Sequence, residues 1–292
     1  MTTIGVIHLV RKKNGLAPFE RFLASYQKNP AGREHELVLL FKGFQGKNDV
    51  ADYESLLSRI PHRSLFVSDR GFDIDAYFAA VKRIECTYFC FLNSFSRILV
   101  PDWLAKLYRW ISAEGVGLVG ATGSWQTIAG GYEAYEQRMR AFPSIKRLGF
   151  NLWALLRAVI WKLDRDFPPF PNYHVRTNAF MAARQTLLQI RSGVLRTKIS
   201  AYRFESGNNS LTNQIRQLGL RALVIGRDGE GYEPERWYLS NTFWQSMQEN
   251  LLVADNQTEA YLAADDFERA QLSSFAWNDL SRPTRTGASH DN

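Results

Sequence analysis

Short apolar runs alternate with amphipathic stretches across the first 125 residues, and this alternation limits the architectures open to the chain more than any other feature. Runs over Ile4 to Val10, Glu36 to Phe41, Ser64 to Val67, Thr87 to Leu92 and Gly117 to Ala121 predict strands. Helical patterns near residues 18–27, 50–59, 74–83 and 102–113 separate them. Strands that are apolar on both sides and joined through helices belong in a parallel sheet covered on both faces. The predicted class is therefore α/β, a mostly parallel, Rossmann-related sheet flanked by helices. Ligands of such sheets sit beyond the carboxyl ends of the strands. The stretch Phe89-Cys90-Phe91-Leu92-Asn93-Ser94-Phe95-Ser96-Arg97 stops being apolar at Asn93, which marks one such end.

Beyond residue 125 the pattern changes. A strongly amphipathic helical stretch runs from Gly130 to Asp166 and is broken by Pro168-Pro169-Phe170-Pro171. An apolar run, Asn178 to Ala182, follows, then a helix over roughly Ser210 to Leu218 and the run Leu223-Val224-Ile225-Gly226. Residues 1–280 are expected to form one domain, with a ligand-binding half over 1–125 and a second half with a helical C-terminal extension over 126–280. Residues 281–292 are small and polar and are expected to be a disordered tail.

Composition narrows the functional classes. No run of about 18 apolar residues is present to span a bilayer. The amino terminus, MTTIGVIHLVRKK, places its charges after its apolar run, as a first strand does and a signal peptide does not. The two cysteines, Cys86 and Cys90, sit within or beside one strand, where an ordinary disulfide cannot close, and they read as buried small hydrophobes in a reducing cytoplasm. They are also too few for a zinc site. A net charge of +7 points to an anionic partner, but the basic residues are scattered and no nucleic-acid-binding motif accompanies them. Nucleic acid is thus not an expected partner.

The order of these pieces resembles the GT-A glycosyltransferases, in particular the inverting, family-2-like enzymes that build bacterial surface polysaccharides. The resemblance covers roughly residues 1–228. It rests on Ile4-Gly5-Val6-Ile7-His8-Leu9-Val10, Val67-Ser68-Asp69, Phe91-Leu92-Asn93-Ser94-Phe95-Ser96, Gly120-Ala121-Thr122-Gly123-Ser124, Arg176-Thr177-Asn178-Ala179-Phe180 and Phe204-Glu205-Ser206-Gly207. It implies a nucleotide-sugar donor and a saccharide or lipid-linked saccharide acceptor. The sequence departs from the family after the fourth strand, where an Asp-x-Asp pair ordinarily holds a divalent metal. Here the positions read Asn93, Ser94 and Phe95, which are weak ligands for a hard dication, so no metal or other cofactor is expected.

Without a metal, cations must balance the departing nucleoside diphosphate. The candidates are Arg11, Lys12 and Lys13 after the first strand, His174 and Arg176 before the Asn178 run, and Arg236. Arg176 stands out because the resembled fold brings its acceptor side close to the donor there. Asp69 follows the third strand, where an acid in the resembled enzymes commonly binds base or ribose, and Asn93 and Ser94 can hydrogen-bond ribose or phosphate oxygens. Asp73 reads either as a ligand or as the cap of the helix from Ile74. Glu205, in the stretch before the Ser210 helix, is the candidate general base of a single-displacement transfer. Tyr232, Trp237, Tyr238 and Trp244 suit either a sugar-stacking platform or the core of an appended layer.

A last motif, Ser144 to Phe167, combines an apolar stripe with Trp153, Trp161, Lys146, Arg147, Arg157, Lys162 and Arg165. That composition fits a helix lying on an anionic membrane, and also a helix packed on the sheet or at a dimer contact, since a wide apolar stripe is what a core helix needs. The expectations are a transferase at the inner face of the membrane or free in the cytoplasm. A catalytically silent saccharide-binding or scaffold homologue, a retaining transferase and a nucleotidyltransferase on a similar fold remain open.

Overall fold

A computed structural model describes residues 2–127, 165–193 and 197–278. The first half alternates as expected: β1 (Ile4–Arg11), α1 (Ala17–Lys28), β2 (Glu36–Lys42), α2 (Ala51–Leu56), β3 (Arg63–Val67), α3 (Asp73–Arg83), β4 (Tyr88–Leu92), β5 (Arg97–Ile98), α4 (Trp103–Ile111) and β6 (Val116–Gly120). There follow β7 (Gly123–Ser124), β8 (His174–Val175), β9 (Ala179–Ala183), α5 (Arg184–Gln189), α6 (Lys198–Ser206), α7 (Leu211–Gln217), β10 (Arg221–Ile225), β11 (Gly231–Tyr232), β12 (Val253–Ala254), α8 (Asn256–Ala263) and α9 (Asp266–Trp277). The amphipathic stretch Ser144 to Phe167 lies outside the described residues apart from its last three, and so does the polar tail from residue 281.

Eight strands form one sheet in the order β11-β10-β6-β9-β4-β1-β2-β3. β1 pairs in parallel with β2 and β4, β2 with β3, and β6 with β10. β9 runs antiparallel between β4 and β6, and β11 is an antiparallel edge. The chain leaves β1 to build β2 and β3 on one side and β4 on the other. The strand order therefore reverses at β1 and β4, and a crevice opens beyond their carboxyl ends.

Two apolar layers cover the sheet. On one face Val6, Val10, Leu39 and Phe41 pack with Phe19 and Phe22 of α1 and with Trp103, Leu104, Leu107 and Ile111 of α4. Those α4 residues recur at helical spacing, which gives that helix one continuous buried stripe. On the other face Ile7, Leu9, Val38 and Leu40 meet Ile74, Tyr77 and Val81 of α3. Alternate residues of β1 thus serve opposite layers, as a strand's period of two requires.

The C-terminal extension is helical and also contributes to this second layer. Trp237 and Trp277 are wholly buried, and Trp244 is nearly so. Their indole nitrogens donate to backbone carbonyls: Trp237 to Tyr232 at 2.8 Å and Trp277 to Phe243 at 2.7 Å. Trp237 and Trp244 are therefore packing residues and do not form a sugar platform. The Tyr232 hydroxyl donates to Asp228 at 2.8 Å and ties the β10–β11 hairpin. Cys86 and Cys90 are free and buried, as expected for small core residues. Among the described residues no helix is long and apolar enough to cross a membrane.

Candidate functional site

The site begins with the turn after β3, Ser68-Asp69-Arg70-Gly71-Phe72, which leads into α3. Gly71 has φ +73°, and a Cβ there would meet a carboxylate oxygen of Asp75 at 2.0 Å, so the turn requires glycine. The turn's carbonyls receive a buried cation. Lys42, the last residue of β2, donates from Nζ to the carbonyls of Arg70 at 3.2 Å and Gly71 at 2.9 Å. Burial lowers the Lys42 pKa, opposed chiefly by the charge of Asp73. The sequence reading missed Lys42, which looks like the polar stop of an apolar strand.

Asp69 is largely exposed at the end of β3, and one carboxylate oxygen lies 3.7 Å from Nε of Arg11 at the end of β1. These two sequence-predicted residues are thus neighbours. Asp73 opens α3, but it does not cap that helix. Asp75 takes the cap, accepting from the Phe72 N–H at 3.2 Å. One Asp73 carboxylate oxygen is buried without a hydrogen-bond partner. Burial raises the Asp73 pKa, and the charges of Arg11 and Lys42 oppose the shift.

Asn93 and Ser94 stand at the end of β4. The Asn93 side-chain oxygen accepts from the Phe95 N–H at 2.9 Å and the Ser96 hydroxyl at 3.1 Å, an Asx turn that shapes the strand end. Ser94 is buried, and its hydroxyl has no partner. This donor set does not fit the divalent metal of the resembled enzymes. The amide oxygen is already engaged, and no group of three His, Cys, Asp or Glu residues suited to a metal occurs among the described residues.

The opposite wall comes from β8, β9, α6 and the start of α8. His174 is buried behind it, with Nδ1 2.8 Å from the carbonyl of Asn172 and a pKa lowered by burial. His174 is not among the residues that line the cleft. Arg176 does line the cleft, but its charge is balanced: one guanidinium nitrogen lies 2.9 Å from a carboxylate oxygen of Asp255. Its guanidinium carbon also sits 4.1 Å from the Phe243 ring centroid. Asp255 caps α8 through its other oxygen, accepting from the Gln257 and Thr258 N–H groups at 3.2 and 2.9 Å. The spacing Asp255-Asn256-Gln257-Thr258 signals such a cap in the sequence, but nothing local signals the ion pair.

Glu205 lies in the last turn of α6 and not in a loop before a helix, because the helix over Lys198–Ser206 precedes the expected one. A Glu205 carboxylate oxygen accepts from the Thr177 N–H at 3.2 Å. Asn178 spends its side-chain oxygen on the Thr122 hydroxyl at 2.7 Å, while its amide nitrogen is buried without a partner.

These parts enclose a cleft of about 180 Å³ lined by Asp73, Asn93, Arg176, Asn178, Glu205 and Asp255, with Phe72, Ile74, Thr177, Ala201, Asn256 and Gln257. Asn93, Arg176 and Glu205 are thus brought together from distant parts of the sequence. Asp69 and Arg11 stand outside the cleft, at the ends of β3 and β1, and Ser94 is buried next to Asn93. A larger groove of about 880 Å³, which includes Arg165, Arg191 and Arg203, holds none of the sequence-predicted site residues. The smaller cleft at the strand ends is therefore the candidate site.

No protein-family model matches the sequence. No curated protein matches it. Solved structures with a similar arrangement include a mannosyltransferase from Pyrobaculum calidifontis in complex with GDP-Man and Mn2+, at 14% identity and a TM-score of 0.44. That match covers 90% of this chain but only 64% of the mannosyltransferase, so the chain spans less than two thirds of its length. Mouse xyloside xylosyltransferase 1 has 10% identity and a TM-score of 0.40, covering 77% of this chain and 85% of that one. Glucosyl-3-phosphoglycerate synthase from Mycobacterium tuberculosis has 16% identity and a TM-score of 0.33, covering 63% and 56%. Likeness at these scores assigns neither family nor activity to this chain.

Proposed function

We propose that the chain is a GT-A-type glycosyltransferase that moves a sugar from a nucleotide-sugar donor to a saccharide or lipid-linked saccharide acceptor, with inversion and without a metal, in surface polysaccharide synthesis. The observation that carries this reading is the cleft itself, where Asp73, Asn93, Arg176 and Glu205 meet beyond the carboxyl ends of the strands. Glu205 is the base. As the acceptor oxygen bonds to the anomeric carbon, its proton passes to the Glu205 carboxylate. The electrons of the breaking carbon–oxygen bond leave with the nucleoside diphosphate on the opposite face.

The charge of the leaving group falls to cations at the rim. Lys12 is held by Asp49 at 2.6 Å, and Arg176 is balanced by Asp255. Arg11 and Lys13 after β1, and Arg70 in the turn after β3, remain for this role. The stretch Ser144 to Phe167 would dock the enzyme on an anionic membrane at the inner face, beside a lipid-linked acceptor. Flotation with anionic and neutral vesicles checks that part, and failure to float with anionic vesicles at low salt refutes it.

A second reading, saccharide binding without transfer, is favoured by the neutralised Arg176 and by Asn93-Ser94-Phe95 at the end of β4. One experiment separates the two. A panel of nucleotide-sugars is screened by thermal shift, since a ligand of the folded state raises its stability, and those that bind are assayed for transfer or hydrolysis. Transfer is expected, and Glu205→Gln is expected to lower turnover about 100-fold with donor affinity little changed. Near-normal turnover in Glu205→Gln removes Glu205 from the mechanism, and binding without turnover in the wild type leaves the second reading.

A further inference from the structure

Two residues that line the cleft, Asp73 and Asn178, each carry a buried polar atom, one an acceptor and one a donor, that the protein itself leaves without a partner. Asp73 is released from capping by Asp75, and one of its oxygens is buried without a partner. Asn178 is 4% exposed, and its amide nitrogen has no partner although its oxygen is engaged by Thr122. Buried polar groups are ordinarily satisfied, so a pair left open in one cleft is a place for a ligand that supplies both complements. A sugar hydroxyl donates and accepts at once and does this with one group.

Charge then restricts which sugar. Among the described residues Arg176 is the only cation lining the cleft, and Asp255 cancels it at 2.9 Å. Asp73 and Glu205 line the same space, and neither forms an ion pair among the described residues. Nearby cations stand outside the cleft: Lys42 is bound to the carbonyls of Arg70 and Gly71, and Arg11 lies at the end of β1, 3.7 Å from Asp69. His174, close to Glu205, is buried and favours its neutral form. Among the described lining residues, a carboxylate on the sugar would lie against two carboxylates with no unbalanced cation to meet it, whereas an ammonium would be attracted to both.

We infer that the cleft receives an uncharged or amine-bearing sugar, read by Asp73 and Asn178, and excludes sugars that carry a carboxylate. This rests on the glycosyltransferase reading but concerns the sugar pocket alone, so the two are tested separately. Glucose, glucosamine and glucuronate are titrated against the full chain by ligand-observed NMR, using wild type, Asp73→Asn and Glu205→Gln with folding verified by thermal melts. Glucose and glucosamine are expected to bind wild type at least about tenfold more tightly than glucuronate. Asp73→Asn keeps the shape and removes a charge, so it is expected to narrow that ratio. Glu205→Gln removes the other carboxylate and serves the same end if Asp73→Asn fails to fold.

Glucuronate binding wild type as tightly as glucose, or no binding by any of the three, overturns the inference. Binding of UDP, GDP, dTDP and CMP is measured alongside. Nucleotide binding without the sugar preference sinks the inference and leaves the transferase reading standing. The sugar preference without nucleotide binding sinks the transferase reading and supports the inference.

Discussion

His8 lies in the middle of β1, is wholly buried, and has no hydrogen-bond partner at either ring nitrogen. Its ring stacks on Phe22 at 3.5 Å between centroids and 5° between planes, with Phe19 at 6.0 Å. Burial among aromatic rings lowers its pKa to about 3. The unfolded chain titrates near 6.5, so between these values the unfolded state holds a proton that the native state does not. Stability contributed by the neutral ring is complete above pH 6.5 and is lost as pH falls towards 3. At about 1.36 kcal/mol for each pH step, the loss between pH 6.5 and 4.5 is about 3 kcal/mol. Urea denaturation at pH 7.5 and 4.5 measures it, with His8→Leu as the comparison, because leucine keeps most of the volume and cannot be protonated. Carboxylates elsewhere titrate in both proteins and cancel in the double difference. Wild type is expected to lose about 3 kcal/mol more than His8→Leu. Equal losses in the two proteins would show that the ring is not held neutral by its burial, and the reasoning would fail.

Three other perturbations probe the site. Asp255→Ala leaves the Arg176 guanidinium buried without its partner and removes the cap of α8, at an expected cost of about 3–5 kcal/mol in urea denaturation. Adding Arg176→Ala should recover part of that cost, and strictly additive losses would argue against coupling. Gly71→Ala forces a Cβ against Asp75 in a left-handed turn and should cost more than about 1 kcal/mol, read as a lower melting temperature. An unchanged melting temperature would mean that the turn relaxes freely. Transfer is expected to survive EDTA, since the Asn93 oxygen is already engaged within its own turn; loss on chelation with recovery in manganese or magnesium would contradict this.

Much of the sheet was legible in the sequence because a strand buried on both faces must be apolar throughout. Ile4–Arg11, Glu36–Lys42 and Tyr88–Leu92 announce themselves in this way. The polar stop at Asn93 likewise located one strand end at the cleft. Other features depend on partners that are far apart in the chain. The run at Asn178 was visible, but its antiparallel insertion between β4 and β6 is decided by hydrogen bonds to residues about 60 to 95 positions earlier. The helix carrying Glu205 has a weak apolar stripe, so only tertiary packing reveals it, and it moves Glu205 from a loop to a helix end. Arg176 reads as a free cation until the fold brings Asp255 against it, and Asp73 reads as a cap until Asp75 is seen to take that place. Sequence periodicity determines which residues must leave water, whereas which buried charge meets which partner is set by the closing of long loops, and only the tertiary structure decides it.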